Sequence, residues 1–182
     1  MGQKKIPFLP GVAYHVYNRG NAGENLFRET DNYRYFLQRY RDIMSPVVET
    51  HAWCLMPNHF HLAVTIKPEE VLQEHFRAMT KKAEAPDSDE GLSLWISKTF
   101  GRFFNAYSSA FNKMYQRRGR LFYQGVNRKA IDGENHLSLV IDYIHNNPVK
   151  HGFASEAARW EHSSIHSYPS HGQDKSLVRV LF

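Results

Sequence analysis

A chain of 182 residues with 42% hydrophobic content holds enough apolar material for one substantial core, and it is too short for two independent ones. No apolar run approaches the roughly 20 residues needed to cross a bilayer. The polar start Met1-Gly2-Gln3-Lys4-Lys5 lacks a signal-peptide core, and the lone Cys54 excludes an internal disulfide or a thiolate-based zinc site. One soluble, cytoplasmic domain over 1–182 is expected, with Cys54 a small buried hydrophobe. The formal net charge of +5 is compatible with a phosphate-rich partner without requiring one.

Residues 11–19 alternate β-branched or aromatic residues with others and then meet Gly20-Asn21-Ala22-Gly23, which predicts a first strand ended by a turn. Asp31 is expected to cap a helix in which Tyr33, Phe36, Leu37, Tyr40 and Ile43 recur at helical spacing until Pro46. Residues 47–55 and 59–66 read as two strands joined at Met56-Pro57-Asn58 into an antiparallel hairpin. Residues 69–82 read as a helix, 84–91 as a polar, acidic linker, and 92–114 as a further helical stretch weakened at Gly101. A fourth strand at 125–131 precedes a helix at 134–146 that turns Leu137, Val140, Ile141 and Ile144 inward and is expected to stop at Pro148. The order β-α-β-β-α-β-α matches an α+β, ferredoxin-like split βαββαβ antiparallel sheet. A linker and helical insertion at about 83–118 would decorate that frame, and an irregular tail would follow from about 163 to 182.

Inside the third strand, His59-Phe60-His61 places two imidazoles on one face, since residues two apart in a strand project together. They can share a cation, while Phe60 anchors the other face. Two imidazoles leave a divalent ion under-coordinated, so a further protein ligand is expected. On the last helix Tyr143 and Asn147 stand four apart and share a face, bringing a phenol and a carboxamide together. Without further context these two read equally as a half-buried aromatic and a helix cap. A third feature is a stretch of interleaved cations and rings: Lys113, Tyr115, Arg117, Arg118, Arg120, Phe122, Tyr123, Arg128 and Lys129. It suits a single strand, whose phosphates need charge and whose bases need aromatic faces.

Trp53-Cys54-Leu55-Met56-Pro57-Asn58-His59-Phe60-His61 resembles the histidine-hydrophobe-histidine strand of single-tyrosine HUH transposases. The run from Val140 through Asp142-Tyr143-Ile144-His145-Asn146-Asn147-Pro148 to Gly152 resembles the nucleophile helix of the branch called REP-associated tyrosine transposases. Tyr14-His15-Val16-Tyr17-Asn18-Arg19-Gly20-Asn21 and Trp160-Glu161-His162-Ser163-Ser164 are similar to the same branch, so four blocks stand in the family's order.

The resemblance implies a metal-dependent single-strand DNA endonuclease and transposase with Tyr143 as nucleophile and His59, His61 and Asn147 as ligands to Mg²⁺ or Mn²⁺. Its products would be a 5′-phosphotyrosine and a free 3′-hydroxyl, and the substrate single-stranded DNA with hairpin structure. Asn18, Arg19, Lys113, Tyr115, Arg117, Arg118, Arg120, Tyr123, Arg128 and Lys129 would contact that DNA. Neither a membrane nor a small-molecule substrate is expected, and the protein would act as a monomer or homodimer. No general base for the tyrosine is identifiable, because His145 lies two positions from Tyr143 and so points away, toward solvent or DNA. Two other readings are a hairpin-binding module of the same fold without catalysis, and a metallophosphodiesterase using activated water, to which Tyr143 would be dispensable.

Overall fold

The computed structural model describes residues 6–81 and 84–168. Along the chain these form β1 (Ala13–Arg19), α1 (Thr30–Met44), β2 (Val48–Met56), β3 (His59–Ile66), α2 (Glu69–Thr80), α3 (Asp89–Met114), β4 (Asn127–Ile131) and α4 (Gly133–Lys150), with short 3₁₀ turns between. The sheet order is β2-β3-β1-β4 and every neighbouring pair is antiparallel. That is the split βαββαβ arrangement expected from the sequence, with α4 added after the last strand. Among the described residues no helix is long and apolar enough to cross a membrane.

The period of two along each strand gives the sheet two different faces. Tyr14, Val16, Phe60, Leu62 and Val64 turn to one side, where they pack with Phe36, Tyr40 and Met44 of α1 and with Ile96, Phe100, Phe103 and Phe104 of α3. Aromatic edges hold this layer, as in the pair Phe36 and Phe103 at 4.8 Å between centroids. Ala52, Cys54, Met56 and Ala63 turn to the other side and take Leu137, Ile141 and Ile144 of α4. Small strand residues on that face let α4 lie close to the sheet. Cys54 is buried there as expected.

Four local readings change. Glu29, not Asp31, caps α1: its side chain accepts from the backbone of Asn32, whose own side chain answers the Glu29 N–H. Asp31 sits in the first turn, where a carboxylate meets the positive end of the helix. The segment around 83–118 contains α3, a continuous helix of 26 residues that runs through Gly101 and supplies much of the larger core.

Helix α4 passes through Pro148 and ends at Lys150. Its stop is Gly152, at φ +73°, with Phe153 N–H donating to the Pro148 carbonyl at 2.8 Å and Gly152 N–H to that of Val149 at 3.0 Å. The proline therefore removes a donor only in the last turn, where the loss is small.

The segment 160–168, part of which reads as irregular in sequence, docks along β2. Leu55 N–H donates to the His162 carbonyl at 2.9 Å, Trp53 N–H to Ser164 Oγ at 2.9 Å, and Trp160 Nε1–H to the Leu55 carbonyl at 2.9 Å. Residues 169–182 lie outside the described part. His145 is correspondingly buried, not solvent- or DNA-facing, with Nε2 2.9 Å from Ser164 Oγ. Helix periodicity does not reveal that a later segment covers that face.

Candidate active site

At the end of the α4 face where the strands reach β-turn and loop, a cleft of about 910 Å³ opens. The antiparallel pairing of β1 with β3 aligns Arg19 with His59 and Tyr17 with His61, so these four side chains line the cleft, and His15 lies on the same sheet face. Tyr143 reaches the same cleft from α4 and is 40% exposed, with its ring 5.8 Å from both His61 and His15. Lys150 Nζ stands 5.2 Å from the centre of the Tyr143 ring. Gly20 completes the floor, and a Cβ there would meet the Glu24 carbonyl oxygen at 1.8 Å, which admits no other residue without moving the loop.

The two strand imidazoles are held as neutral bases. His61, only 8% exposed, has its pKa pushed down to about 2, by burial first and then by His15, His59, His151 and Lys150. His59 is lowered to about 4 by burial and then by His151, whose ring centre is 4.7 Å away. His15 is lowered to about 4 by burial and then by Lys129. Each ring thus keeps one nitrogen lone pair at neutral pH.

The same shifts set a stability profile. These imidazoles titrate lower in the folded chain than the ordinary 6.5, so acid protonates the unfolded chain first. Their stabilising contribution is complete above about pH 6.5 and drains as pH falls toward 4, each imidazole withdrawing at most about 1.4 kcal/mol per pH unit. Urea midpoints at pH 7, 5.5 and 4.5 are expected to fall steadily, and a flat midpoint over this range contradicts the neutral, enclosed histidines.

Asn147 is fully buried and is not among the residues that line the cleft. Its Nδ2–H donates to the Tyr143 carbonyl at 2.7 Å, whereas its Oδ1 is buried with no hydrogen-bond partner. His59 Nε2 is the same kind of atom, buried and unpartnered. Buried polar atoms normally find partners, so these two orphans leave a lone pair free on each of two residues singled out as ligands. Among the described residues no three His, Cys, Asp or Glu side chains are grouped to hold a metal.

The expected DNA contacts divide by what already occupies them. Arg19 stacks over Tyr123 at 4.5 Å, and both line the cleft. Asn18 lies in the cleft wall but is 2% exposed, its amide donating to the Gln124 carbonyl at 2.9 Å. Lys113, Arg118, Arg120 and Lys129 are exposed, Lys129 on the cleft face opposite His15. The remaining three are committed within the fold. Tyr115 donates to Glu29 and, at 2.9 Å, to Asn32 Oδ1. Arg117 pairs with Glu24 at 3.0 Å and Asn112 Oδ1 at 2.6 Å. Arg128 donates to the Ile6 carbonyl at 2.7 Å and covers the Phe8 ring at 4.0 Å. A basic and aromatic stretch looks alike in sequence whether its cations face solvent or acids.

Tyr17 and His151 line the cleft and His15 contacts His61 at its edge; all three lie in the family-like blocks, but the sequence reading singles out none of them as a site residue. The parity of β1 puts His15 and Tyr17 on one face, but only the pairing with β3, some 46 residues on, brings them to His61.

Two strand histidines and a helix tyrosine meet in this cleft, and two curated relatives and a solved structure can be set beside the chain. No family model matches it. A protein of Haemophilus influenzae named a putative REP-associated tyrosine transposase is 29% identical over 127 residues, which cover 65% of this chain and 59% of that protein. The REP-associated tyrosine transposase of Escherichia coli is 26% identical over 121 residues, covering 65% and 54%. The chain thus spans less than two thirds of the curated relatives it matches. A REP-associated tyrosine transposase solved bound to a REP hairpin shares its fold, with a TM-score of 0.63 at 18% identity over 95% of this chain and 93% of the other. The resemblance read from the four sequence blocks is therefore borne out by relatives of that name.

Proposed function

We propose that the chain is a single-strand DNA endonuclease and transposase that cuts and rejoins DNA beside hairpins in the cytoplasm, with Tyr143 as nucleophile. The observation that carries this reading is the meeting of His59 and His61 from β3 with Tyr143 from α4 in one cleft. Hairpin DNA as the substrate is supported by the related protein solved with a REP hairpin.

In the proposed reaction the Tyr143 phenol oxygen attacks phosphorus, the bond to the 3′ oxygen breaks, and that oxygen leaves as a 3′-hydroxyl carrying a proton. The 5′ end stays on the tyrosine. Because one phosphodiester has been exchanged for another, a 3′-hydroxyl from a second strand can reverse the step and join DNA without an external energy source. His59, His61 and Asn147 would hold Mg²⁺ or Mn²⁺, which when bound polarises the phosphate and neutralises charge on its oxygens. Arg19 and Tyr123 offer a charged and aromatic wall for the strand, and Lys150 adds positive charge beside the nucleophile.

Labelled single-stranded hairpins from the chain's own genomic neighbourhood, incubated with Mg²⁺ or Mn²⁺, are expected to give a protein band shifted by covalent DNA. Cut DNA without any adduct would support hydrolysis by water, and binding without cutting would support a hairpin-binding module.

A further inference from the structure

A neutral imidazole has one nitrogen that donates and one that accepts, and its hydrogen-bond partner decides which. An ion ligand must keep its lone pair on the nitrogen that faces the ion, so the partner of the other nitrogen matters as much as the ligand. His59 Nδ1 lies 2.6 Å from Asn58 Oδ1. An amide oxygen only accepts, so the proton belongs on Nδ1, and the buried, unpartnered Nε2 keeps its lone pair.

His61 Nδ1 lies 2.8 Å from His15 Nε2. This contact has two possible arrangements. If His61 Nδ1–H donates, His61 Nε2 has a free lone pair; if His15 donates, the His61 proton moves to Nε2 and the ring has none left for an ion. The sheet fixes this contact, and only the first arrangement is compatible with His61 as an ion ligand. Register pairs His15 with Ala63, diagonal to His61, and its ring packs between Tyr17 at 5.1 Å and Tyr143 at 5.8 Å.

We propose that His15 and Asn58 are positioning residues that hold His61 and His59 as Nδ1–H tautomers, leaving both Nε2 atoms for the ion. The inference rests on the reading of His59 and His61 as ligands. Neither His15 nor Asn58 is itself a ligand; one is supplied by β1 and the other by the β2–β3 turn, so the ion site depends on a strand that carries none of its ligands.

The test begins with the unaltered, metal-free chain at neutral pH. Long-range proton–nitrogen spectra are expected to find an unprotonated Nε2 on both His59 and His61, and a protonated His61 Nε2 overturns the proposal. Direct Mn²⁺ binding, followed by the paramagnetic signal of the free ion, gives the second readout. His15→Phe keeps an aromatic ring but removes the acceptor, and is expected to weaken binding about 10- to 100-fold, as is Asn58→Ala. His15→Gln returns an acceptor and should recover most of the loss, which repair of packing alone would not do. Mn²⁺ affinity unchanged in His15→Phe refutes the positioning role and leaves the ligands standing. Affinity unchanged in His59→Ala refutes the ligand reading itself.

Discussion

Tyr143→Phe will bind hairpin DNA within a few-fold of the unaltered chain yet form no covalent adduct, with cleavage reduced on the order of 10⁴-fold or more. The substitution removes one oxygen from a side chain that is 40% exposed, so packing of α4 on the sheet is untouched. Other tyrosines in the basic stretch are poor rivals. Tyr115 spends its hydroxyl on Glu29 and Asn32, and Tyr107 is buried with its hydroxyl on the Leu26 carbonyl. Tyr123 lines the same cleft and is exposed, which makes it the informative control. Tyr123→Phe is expected to keep the adduct. Peptide mapping that finds a nucleotide on any tyrosine but Tyr143 overturns the assignment.

His59→Ala is expected to lower divalent-dependent cleavage by about 10²-fold or more, matching the loss when the unaltered protein is treated with a chelator. It is a cleaner probe than His61→Ala, because His61 is more enclosed and its removal also frees His15. Melting curves on both variants separate lost ligands from lost fold. Full cleavage by His59→Ala, with the unaltered protein still sensitive to chelator, removes that residue from the ion site.

The strands, the β2–β3 hairpin and the placement of His59 and His61 were legible because alternation and hairpin length are local properties, whereas the sheet order followed from matching the βαββαβ sequence of elements to a known topology. The cleft was legible only in part. His15 comes to His61 through cross-strand pairing and His151 comes to His59 through the end of α4, and neither leaves a short-range mark. Asn147 shares a helix with Tyr143 as spacing implies, yet one side chain is open to the cleft and the other sealed beneath it, a difference made by the sheet below. The partners of Tyr115, Arg117 and Arg128 were hidden for a related reason: Glu29, Glu24 and Ile6 lie about 86, 93 and 122 residues earlier in the chain.

The docking of residues 160–164 along β2 has a consequence for how copies of the chain meet. An outer strand with open amides and carbonyls is a template for another molecule's strand, and pairing of that kind leads to uncontrolled assembly. Cys54 pairs with Ser163, and Trp53 and Leu55 bond to Ser164 and His162, so the outer rim of β2 is already taken over Trp53–Leu55. Among the described residues the opposite rim is β4, five residues long and carrying Arg128 and Lys129. Brevity and positive charge make that rim repel a second copy. Over the covered stretch of β2, side-chain surfaces rather than a shared sheet are left to join two copies.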